Sequence, residues 1–264
     1  MYVDNIKIWR TIKDPNDQKS LQADLNNRGQ WAYTWAIPVN TAKYAHLHFG
    51  RADSDVVYNF QGTTLRRTSC ERDLGVIVTS SLNIRENTHR VCASTWSILG
   101  HIRVFFSQFT MDAFRPLYSS NVRPRLEYGG AATYPCMADE LAKLECVQRA
   151  ATRLIVGLRG TRYEGRLEAT GLLPVAYWRL RRNPLCLTKN LRGDIGPELR
   201  QYFHLRTEDR TRWHPFTLRE LQSVGILLVN QLSWMSTTLW NSLPATAMDK
   251  TDAAFKRRAI CRLT

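Results

Sequence analysis

Apolar and polar residues alternate in short runs over the first part of the chain, which predicts β-strands there. Residues 1–9 carry apolar side chains on both sides of a polar turn and predict a hairpin. Alternation returns at residues 44–49, and residues 56–67 surround the turn pair Gln61-Gly62, which is typical of a second hairpin. Residues 74–78 predict a further strand. A hairpin is only marginally stable alone, so the first one implies a larger sheet with sequence upstream.

Helical spacing of apolar residues predicts helices before and after these strands. Asp14-Pro15 is typical of a helix start, with aspartate as the N-cap, and Ile37-Pro38 is expected to end that helix. After Leu82 the predicted elements are helices, at residues 85–106, 112–122, 139–156, 163–170 and 174–191, the last interrupted by Pro184. Residues 193–215 are weakly patterned and predict a linker, and residues 216–264 predict further helices.

The helix predicted at residues 139–156 has the clearest division into two faces. One face is an apolar stripe of Leu141, Leu144, Val147 or Gln148, Ala151, Leu154 and Ile155. Lys143, Arg149 and Arg153 project from the other face. We expect the stripe to lie in a core. An exposed stripe would instead favour a helical scaffold for protein partners.

Together these patterns predict an α+β fold in three parts. Residues 1–82 hold the strands and the first helix, residues 83–192 form a basic helical region, and residues 193–264 form a C-terminal helical region. We find no internal repeat.

The charge of the chain is strongly positive, with 37 Lys and Arg against 23 Asp and Glu and a net charge of +14. Residues 111–192 hold 14 basic and seven acidic side chains, which is half of the excess. Basic side chains that neutralise phosphates release condensed counterions, so this distribution favours a nucleic-acid partner. A basic surface with no fixed partner is the alternative.

The cysteines and the apolar runs argue against several classes of protein. The six cysteines include no C-x-x-C pair, so a zinc ribbon or knuckle is unsupported, and we expect Cys136 and Cys146 to be buried thiols. No signal peptide opens the sequence, and the most apolar run, residues 224–229, is far too short to span a bilayer. We therefore expect an intracellular protein of the nucleus or cytoplasm, neither secreted nor membrane-spanning, and no membrane partner.

Two sets of residues in the strand region are candidate metal ligands. Asp4 lies in the tight turn of the first hairpin, where polymerases present the carboxylates that bind two Mg²⁺ ions, although a surface turn has the same composition. His46 and His48 share one side of a predicted strand and are expected to be a solvent-facing pair rather than a metal site.

Basic and aromatic side chains are interleaved in the helical region. The basic set consists of Arg123, Arg125, Lys143, Arg149, Arg153, Arg159 and Arg162, with Tyr118, Tyr128 and Tyr163 nearby in sequence. Arginine suits phosphate contacts, and aromatic rings suit stacking on bases or sugars. The alternative is a solvated helix face with the tyrosines in the core.

A series of short motifs runs along the chain. In the strand region they are Tyr2-Val3-Asp4-Asn5-Ile6-Lys7-Ile8, Leu21-Gln22-x-Asp24-Leu25, Trp31 to Trp35, Asn40-x-x-Lys43, Leu47-His48-Phe49-Gly50-Arg51 and Asp73-Leu74-Gly75-Val76. In the helical regions they are Leu117-Tyr118, Val122-Arg123-Pro124-x-Leu126-Glu127-Tyr128, Leu144-Glu145-x-Val147-Gln148-Arg149-x-Ala151-Thr152, Tyr163-Glu164-x-Arg166-Leu167, Leu239-Trp240-Asn241-Ser242-Leu243-Pro244 and Phe255-Lys256. In this order they resemble reverse transcriptases encoded by LINE-type (non-LTR) retrotransposons. The resemblance covers most of the chain and thins between about residues 180 and 225.

The resemblance implies a role for several residues. Asp4 corresponds to the metal-binding aspartate of the catalytic F/Y-x-D-D turn, and Asn5 stands where the family usually has a second aspartate. Lys43 corresponds to the lysine proposed to protonate the departing pyrophosphate. Arg66 and Arg67 lie in the hairpin that corresponds to the primer grip, where they would contact backbone phosphate.

The resemblance also implies an architecture and a function. Residues 1–82 would be the truncated remainder of a palm sheet, and residues 83–192 a thumb and connector that hold the template–primer duplex. The reaction of the family is RNA-templated DNA synthesis with dNTPs and Mg²⁺, primed at a nick in target DNA. An RNA template and a DNA primer or target are therefore the expected partners.

The same resemblance predicts no catalysis by this chain alone. The fingers and the palm strand that bears the partner aspartate lie upstream in the family, and Asn5 lacks the charge that attracts Mg²⁺, so tight Mg²⁺ binding is not expected. One alternative is a residual RNA- or DNA-binding module without catalysis. The other is an intact enzyme whose first half lies upstream of Met1.

Overall fold

The computed structural model describes residues 6–50, 56–106, 109–130, 133, 138–179, 187, 189, 191, 193–194, 218 and 241. The chain divides into two compact units, Met1–Leu82 and Asn83–Thr264. In the described residues, the first unit combines a helix with small sheets and the second is built of helices. The predicted α+β fold class is confirmed.

Helix α1 spans Pro15–Thr34 and begins as the Asp14-Pro15 pair predicts. The Asp14 carboxylate accepts hydrogen bonds from the backbone N–H groups of Asn16 and Asp17, at 2.8 and 3.0 Å. Asp17 in turn accepts from the backbone N–H of Asp14, which completes a capping box. Hydrogen bonds from the backbone N–H groups of Lys13 and then Asp14 hold the pKa of Asp17 below its usual value. The cap satisfies backbone donors that would otherwise have no partner at the start of the helix.

The strands of the first unit form three two-stranded sheets. Strand β1 (Ala45–Leu47) pairs in parallel with β4 (Arg66–Thr68), β2 (Asn59–Phe60) pairs antiparallel with β3 (Thr63–Thr64), and β5 (Cys70–Asp73) pairs antiparallel with β6 (Val76–Thr79). The hairpin turn predicted at Gln61-Gly62 is confirmed, and both of its residues have the positive φ that a type I′ turn requires.

Two details of the strand prediction are wrong. Residues 63–67 are not one hairpin arm. Pairing with the first arm of the hairpin ends at Leu65, whose N–H bonds the Tyr58 carbonyl, and the residues that follow pair with β1 instead. Leu74 is not in a strand, since Leu74 and Gly75 form the positive-φ turn between β5 and β6. Strand β5 was missed because its sequence has no apolar alternation, and it forms by pairing with β6.

The core of the first unit lies between α1 and the β2–β3 hairpin. Leu25, Tyr58, Phe60 and Leu65 are buried there, and the Phe60 ring stacks on Tyr44 with centroids 4.8 Å apart. The Gln22 side chain donates to the Asn59 carbonyl at 2.7 Å and accepts from the Asn59 N–H at 2.9 Å. Burial of a ring such as Phe60 contributes about 2–3 kcal/mol, so this contact fixes the hairpin on the helix.

The second unit opens with α2 (Arg85–Phe105) and α3 (Met111–Leu117), followed by a π-helical turn (Tyr118–Val122) and α4 (Arg123–Glu127). The prediction of one regular helix over residues 112–122 is wrong in its second half. Pro124 has no N–H to donate, and the Arg123 N–H bonds the Tyr118 carbonyl five residues back. The extra residue in this turn displaces the backbone at Tyr118–Val122.

Helices α5 (Ala138–Arg153) and α6 (Tyr163–Thr170) complete the described elements of the second unit. The apolar stripe of α5 is buried at Leu144, Val147 and Ala151, and Ile155 just beyond the helix end is also buried. The condition for a helical scaffold, an exposed stripe, is therefore not met. The helix predicted at residues 163–170 is confirmed as α6, and Gly171 ends it in the left-handed conformation, with φ 69°.

Several predicted elements lie wholly or partly outside the described residues. The first hairpin is described only from Ile6 onward, and its predicted second arm is wrong, because residues 6–9 are not in a strand. Residues 175–179 are helical, and Pro184 is not described. Of the predicted C-terminal helices, Leu218 and Asn241 are described. The Asn241 amide donates to the Leu218 carbonyl at 3.1 Å, and its oxygen accepts from the Leu218 N–H at 2.9 Å. Within the described residues, no helix is both long and apolar enough to cross a bilayer.

Candidate nucleic-acid interface

The residues of the predicted catalytic turn, Asp4 and Asn5, lie outside the described residues. The structure therefore does not test Asp4 as a Mg²⁺ ligand. Across the described ranges there is no group of three or more His, Cys, Asp or Glu side chains placed to hold a metal ion.

Lys43 lies at the end of a single 3₁₀ turn, Thr41–Lys43, and its side chain is exposed. Asn40 builds this turn, because its side-chain oxygen accepts from the Ala42 N–H at 3.2 Å and its carbonyl accepts from the Lys43 N–H at 3.1 Å. The Asn40-x-x-Lys43 motif is thus one local unit, in which the asparagine shapes the backbone that presents the lysine.

Arg66 and Arg67 are exposed side chains of strand β4. Arg66 forms a surface ion pair with Glu71 at 3.2 Å, which leaves most of its side chain in solvent. Arg67 lies opposite His46 in the β1–β4 register. Arg66 is thus partly neutralised by Glu71, and Arg67 places a positive charge beside His46.

His46 and His48 are not the solvent-facing pair that the alternation predicted. Both are half-buried, and the His46 Nδ1 and His48 Nε2 atoms are buried without a hydrogen-bond partner among the described residues. The His46 ring packs edge-on against Tyr58, with centroids 5.4 Å apart. Burial, followed by the Arg67 charge, lowers the pKa of His46 and so favours its neutral form.

Three members of the predicted helical basic set have partners inside the second unit. The Arg123 guanidinium bonds Glu127 at 2.5 Å and lies over the Trp178 ring, 3.7 Å from its centroid. Arg125 donates to Ser94 at 3.4 Å, and Lys143 donates to the buried Glu140 at 2.7 Å. These contacts hold the three side chains to the surface of the helical unit.

A buried polar network joins α5, α6 and the π-helical turn. Gln148 accepts a short hydrogen bond from the Tyr118 hydroxyl and donates to the Tyr163 hydroxyl at 3.0 Å and to the Leu173 carbonyl at 2.9 Å. The Tyr163 hydroxyl donates to Glu145, whose second oxygen accepts from the Val175 N–H at 2.8 Å. Burial and the neighbouring Glu145 raise the pKa of both tyrosines, so both remain neutral donors.

Two arginines lie over the Tyr163 ring, namely Arg149, which is exposed, and Arg166, which is buried. The Arg149 guanidinium carbon lies 4.7 Å from the ring centroid, and that of Arg166 lies 5.5 Å away. Burial and the positive charge of Arg153, then that of Arg149, lower the pKa of Arg166. We call Arg149, Arg153 and Arg166, together with Tyr163, the arginine cluster. It concentrates like charge at the α5–α6 contact.

The remaining predicted residues, Arg159 and Arg162, lie in the connection between α5 and α6. Both are exposed, and their side chains form no ion pair or hydrogen bond with any described residue, which is also true of Arg153. The three guanidinium groups are therefore open to solvent on the described surface. They extend the positive charge of the arginine cluster along the chain.

Two buried arginines were missed by the sequence reasoning. Arg166 donates to Thr152 at 3.1 Å and to the Thr161 carbonyl at 2.5 Å. Arg179 donates to the carbonyls of Leu126 and Thr133, at 2.9 and 2.8 Å. A signal for Arg166 was present, because Tyr163, Arg166 and Thr170 are spaced to share one face of a helix. No local pattern marks Arg179, since its partners lie about fifty residues away.

One further expectation is wrong, and one lies outside the described residues. Cys146 is exposed rather than buried, whereas Cys136 is not described. Tyr118 is buried and Tyr128 is exposed, so the interleaved tyrosines have different roles. No protein-family model matches the chain, and no curated protein and no solved structure is significantly similar to it.

Proposed function

We propose that this chain is part of an RNA-directed DNA polymerase of the LINE retrotransposon type, in which its helical unit binds the template–primer duplex. Two observations support this. The motifs along the chain follow the order of that family. The exposed side chains of Arg149 and Arg153 give the helical unit positive surface charge, and the Arg149 guanidinium lies over the Tyr163 ring.

The arginine cluster is the main observation that supports nucleic-acid binding. Like charges held close together oppose folding unless a counter-charge relieves them, and no carboxylate is paired with Arg149 or Arg153 in the described part of the unit. A phosphate backbone supplies that counter-charge and releases counterions when it binds. Guanidinium groups also bond phosphate oxygens in a bidentate manner, which suits a duplex bound through its backbone.

The polar network explains why the cluster keeps its shape. Glu145, Gln148, Arg149 and Thr152 are spaced at i, i+3, i+4 and i+7 and share one side of α5. Three of them bond residues of α6 or the segment after it. The family-like motifs of α5 and α6 therefore serve first to dock the two helices, and the docking brings Arg149 next to Tyr163.

The catalytic part of the proposal concerns Asp4 and Asn5. Two-metal phosphoryl transfer requires several carboxylates around a pair of Mg²⁺ ions, and Asn5 offers a neutral oxygen where the family turn has a second carboxylate. We propose that the chain alone binds template–primer without extending it. The alternative of a nucleic-acid-binding module outside any polymerase has the same binding surface.

The test is a fluorescence-anisotropy titration of the full chain with an RNA–DNA hybrid at several salt concentrations. We expect affinity to fall steeply with salt, and the double variant Arg149→Gln with Arg153→Gln to lower the salt slope by about 2, roughly one per lost phosphate contact. Lys19→Gln with Arg103→Gln removes the same charge from two other exposed positions and is the matched control. Equal losses in the two double variants would remove the cluster as the binding site.

A further inference from the structure

A cleft of about 290 Å³ opens in the second unit, beside the π-helical turn. Its lining includes an apolar wall with Pro116 and Leu172, and the polar residues Arg115, Tyr118, Ser119, Arg123 and Thr170. The volume is at the lower limit for small-molecule sites, and apolar walls with a few polar groups are typical of such sites. The cleft is open to solvent and has room for part of a small ligand, the rest of which would remain exposed.

The backbone beside the cleft is irregular. Pro116 breaks the regular pattern of α3, and its carbonyl accepts hydrogen bonds from the hydroxyls of Ser119 and Ser120, at 3.1 and 2.7 Å. The π-helical turn follows directly at Tyr118–Val122. π-helical turns are rare in proteins overall, but those that occur often lie at functional sites.

The two arginines of the cleft favour an anionic group. Arg123 is held in place by the Trp178 ring and by Glu127, so its guanidinium is already oriented. Arg115 is exposed, and its side chain forms no ion pair or hydrogen bond with any residue that the structure describes. Glu127 balances the charge of Arg123, so the net positive charge of the cleft lies at Arg115. A phosphate group would supply the missing counter-charge.

The two hydroxyl groups of the cleft favour hydrogen-bond donors on the ligand. Thr170 donates its hydrogen to the carbonyls of Arg166 and Leu167, and Ser119 donates to that of Pro116. Their oxygens therefore remain as acceptors. Inorganic phosphate at neutral pH is mainly a hydrogen-bond acceptor and has no apolar face. It would therefore bind the two arginines but not the hydroxyl oxygens or the apolar wall of the cleft.

We infer that this cleft binds a nucleoside monophosphate unit. Its phosphate would lie at Arg115 and Arg123, its sugar hydroxyls or base amino group at Ser119 and Thr170, and its ring against Pro116 and Leu172. This chemistry is the same for a free nucleotide and for one nucleotide of a single strand. The inference does not depend on polymerase function, and the cleft residues differ from those of the arginine cluster.

Calorimetric titration of the full chain with AMP, adenosine and inorganic phosphate tests the inference. We expect AMP to bind at least about tenfold more tightly than adenosine or phosphate, because only AMP uses both walls of the cleft. Arg115→Gln should weaken AMP binding about tenfold or more, whereas Arg103→Gln, an exposed arginine of α2, should leave it unchanged. Ser119→Phe places a ring in the cleft and should also abolish binding.

Three outcomes would overturn the inference. Absence of AMP binding up to about 10 mM, equal binding of phosphate and AMP, or equal weakening by Arg115→Gln and Arg103→Gln would each overturn the inference. If binding is found, a 5′-phosphorylated dinucleotide identifies the source. Tighter binding of the dinucleotide than of AMP indicates a strand, and equal binding indicates a free nucleotide. The double variant Lys19→Gln with Arg103→Gln, at exposed positions outside both proposed sites, should leave AMP binding unchanged.

Discussion

Tyr163 of α6 donates its hydroxyl hydrogen to Glu145 of α5, and the same hydroxyl accepts a hydrogen bond from Gln148. One phenol group thus satisfies two buried polar side chains of the neighbouring helix. Its ring meanwhile faces the arginines Arg149 and Arg166. A single tyrosine therefore joins the interior of the helical unit to the surface proposed to bind nucleic acid.

Tyr163→Phe should destabilise the chain by about 1–3 kcal/mol, because Glu145 and Gln148 each lose a partner in a place with little water. The ring remains, so the change isolates the hydroxyl group. Urea unfolding followed by circular dichroism measures the difference. Tyr33→Phe is the matched control, since Tyr33 is 80% exposed, and it should change stability by less than about 0.5 kcal/mol. Similar losses in both variants would contradict the network described for Tyr163.

Stability should fall as the pH rises above the ordinary tyrosine pKa of about 10. Burial is the main cause that raises the pKa of Tyr118 and Tyr163 in the folded chain, so the folded state holds both protons more tightly than the unfolded state. Their contribution is complete below about pH 10 and is lost above it. The urea midpoint at several alkaline pH values measures this. Comparison with the Tyr118→Phe, Tyr163→Phe double variant removes the effect of lysine titration, and equal slopes would contradict the prediction.

Arg179→Ala should destabilise the second unit by about 3 kcal/mol or more. The carbonyls of Leu126 and Thr133 would each lose a charged donor, and removal of the buried side chain leaves a cavity. Thermal and urea unfolding measure the loss. Arg125→Ala is the control, because Arg125 is exposed and its one contact among the described residues is a long one, to Ser94 at 3.4 Å. Its cost should therefore stay within about 0.5 kcal/mol. A loss for Arg179→Ala as small as that of the control would refute its structural role.

Two glycine-to-alanine changes should have opposite signs. Gly62 has φ +77° in the β2–β3 turn, where a Cβ is strained, so Gly62→Ala should destabilise the chain by about 1 kcal/mol. Gly100 lies inside α2 without positive φ, and a Cβ there meets no neighbouring atom within 4 Å. Gly100→Ala should therefore stabilise by about 0.5–1 kcal/mol. Urea unfolding of the two variants measures the change in the free energy of unfolding for each. Changes of the same sign would show that one of the two glycine conformations is wrong.

The local elements could be predicted because their signals lie within a few residues. The Asp14 cap, the Gln61-Gly62 turn and the Gly171 helix end each depend on the backbone preference of one or two residues. The buried face of α5 follows from its spacing of apolar residues. The candidate basic set could also be identified from the sequence, because counting charged residues requires no knowledge of the structure.

The partners of that basic set were decided by the packing of distant segments. Arg123 and Arg149 look alike in the sequence, yet the first is held by Trp178 and Glu127 while the second borders Tyr163. Strand β4 pairs with β1 rather than extending its hairpin, and no local pattern encodes that choice. Arg179 is buried because two carbonyls from other elements need a donor there.

Short-range preferences of the amino-acid sequence thus determined which segments are helix, strand or turn and where positive charge accumulates. Tertiary contacts alone decided which arginines are neutralised, which are buried and which stay open to solvent. The physical reason is that a charged side chain takes its state from burial and from partners, and both depend on residues remote in the chain.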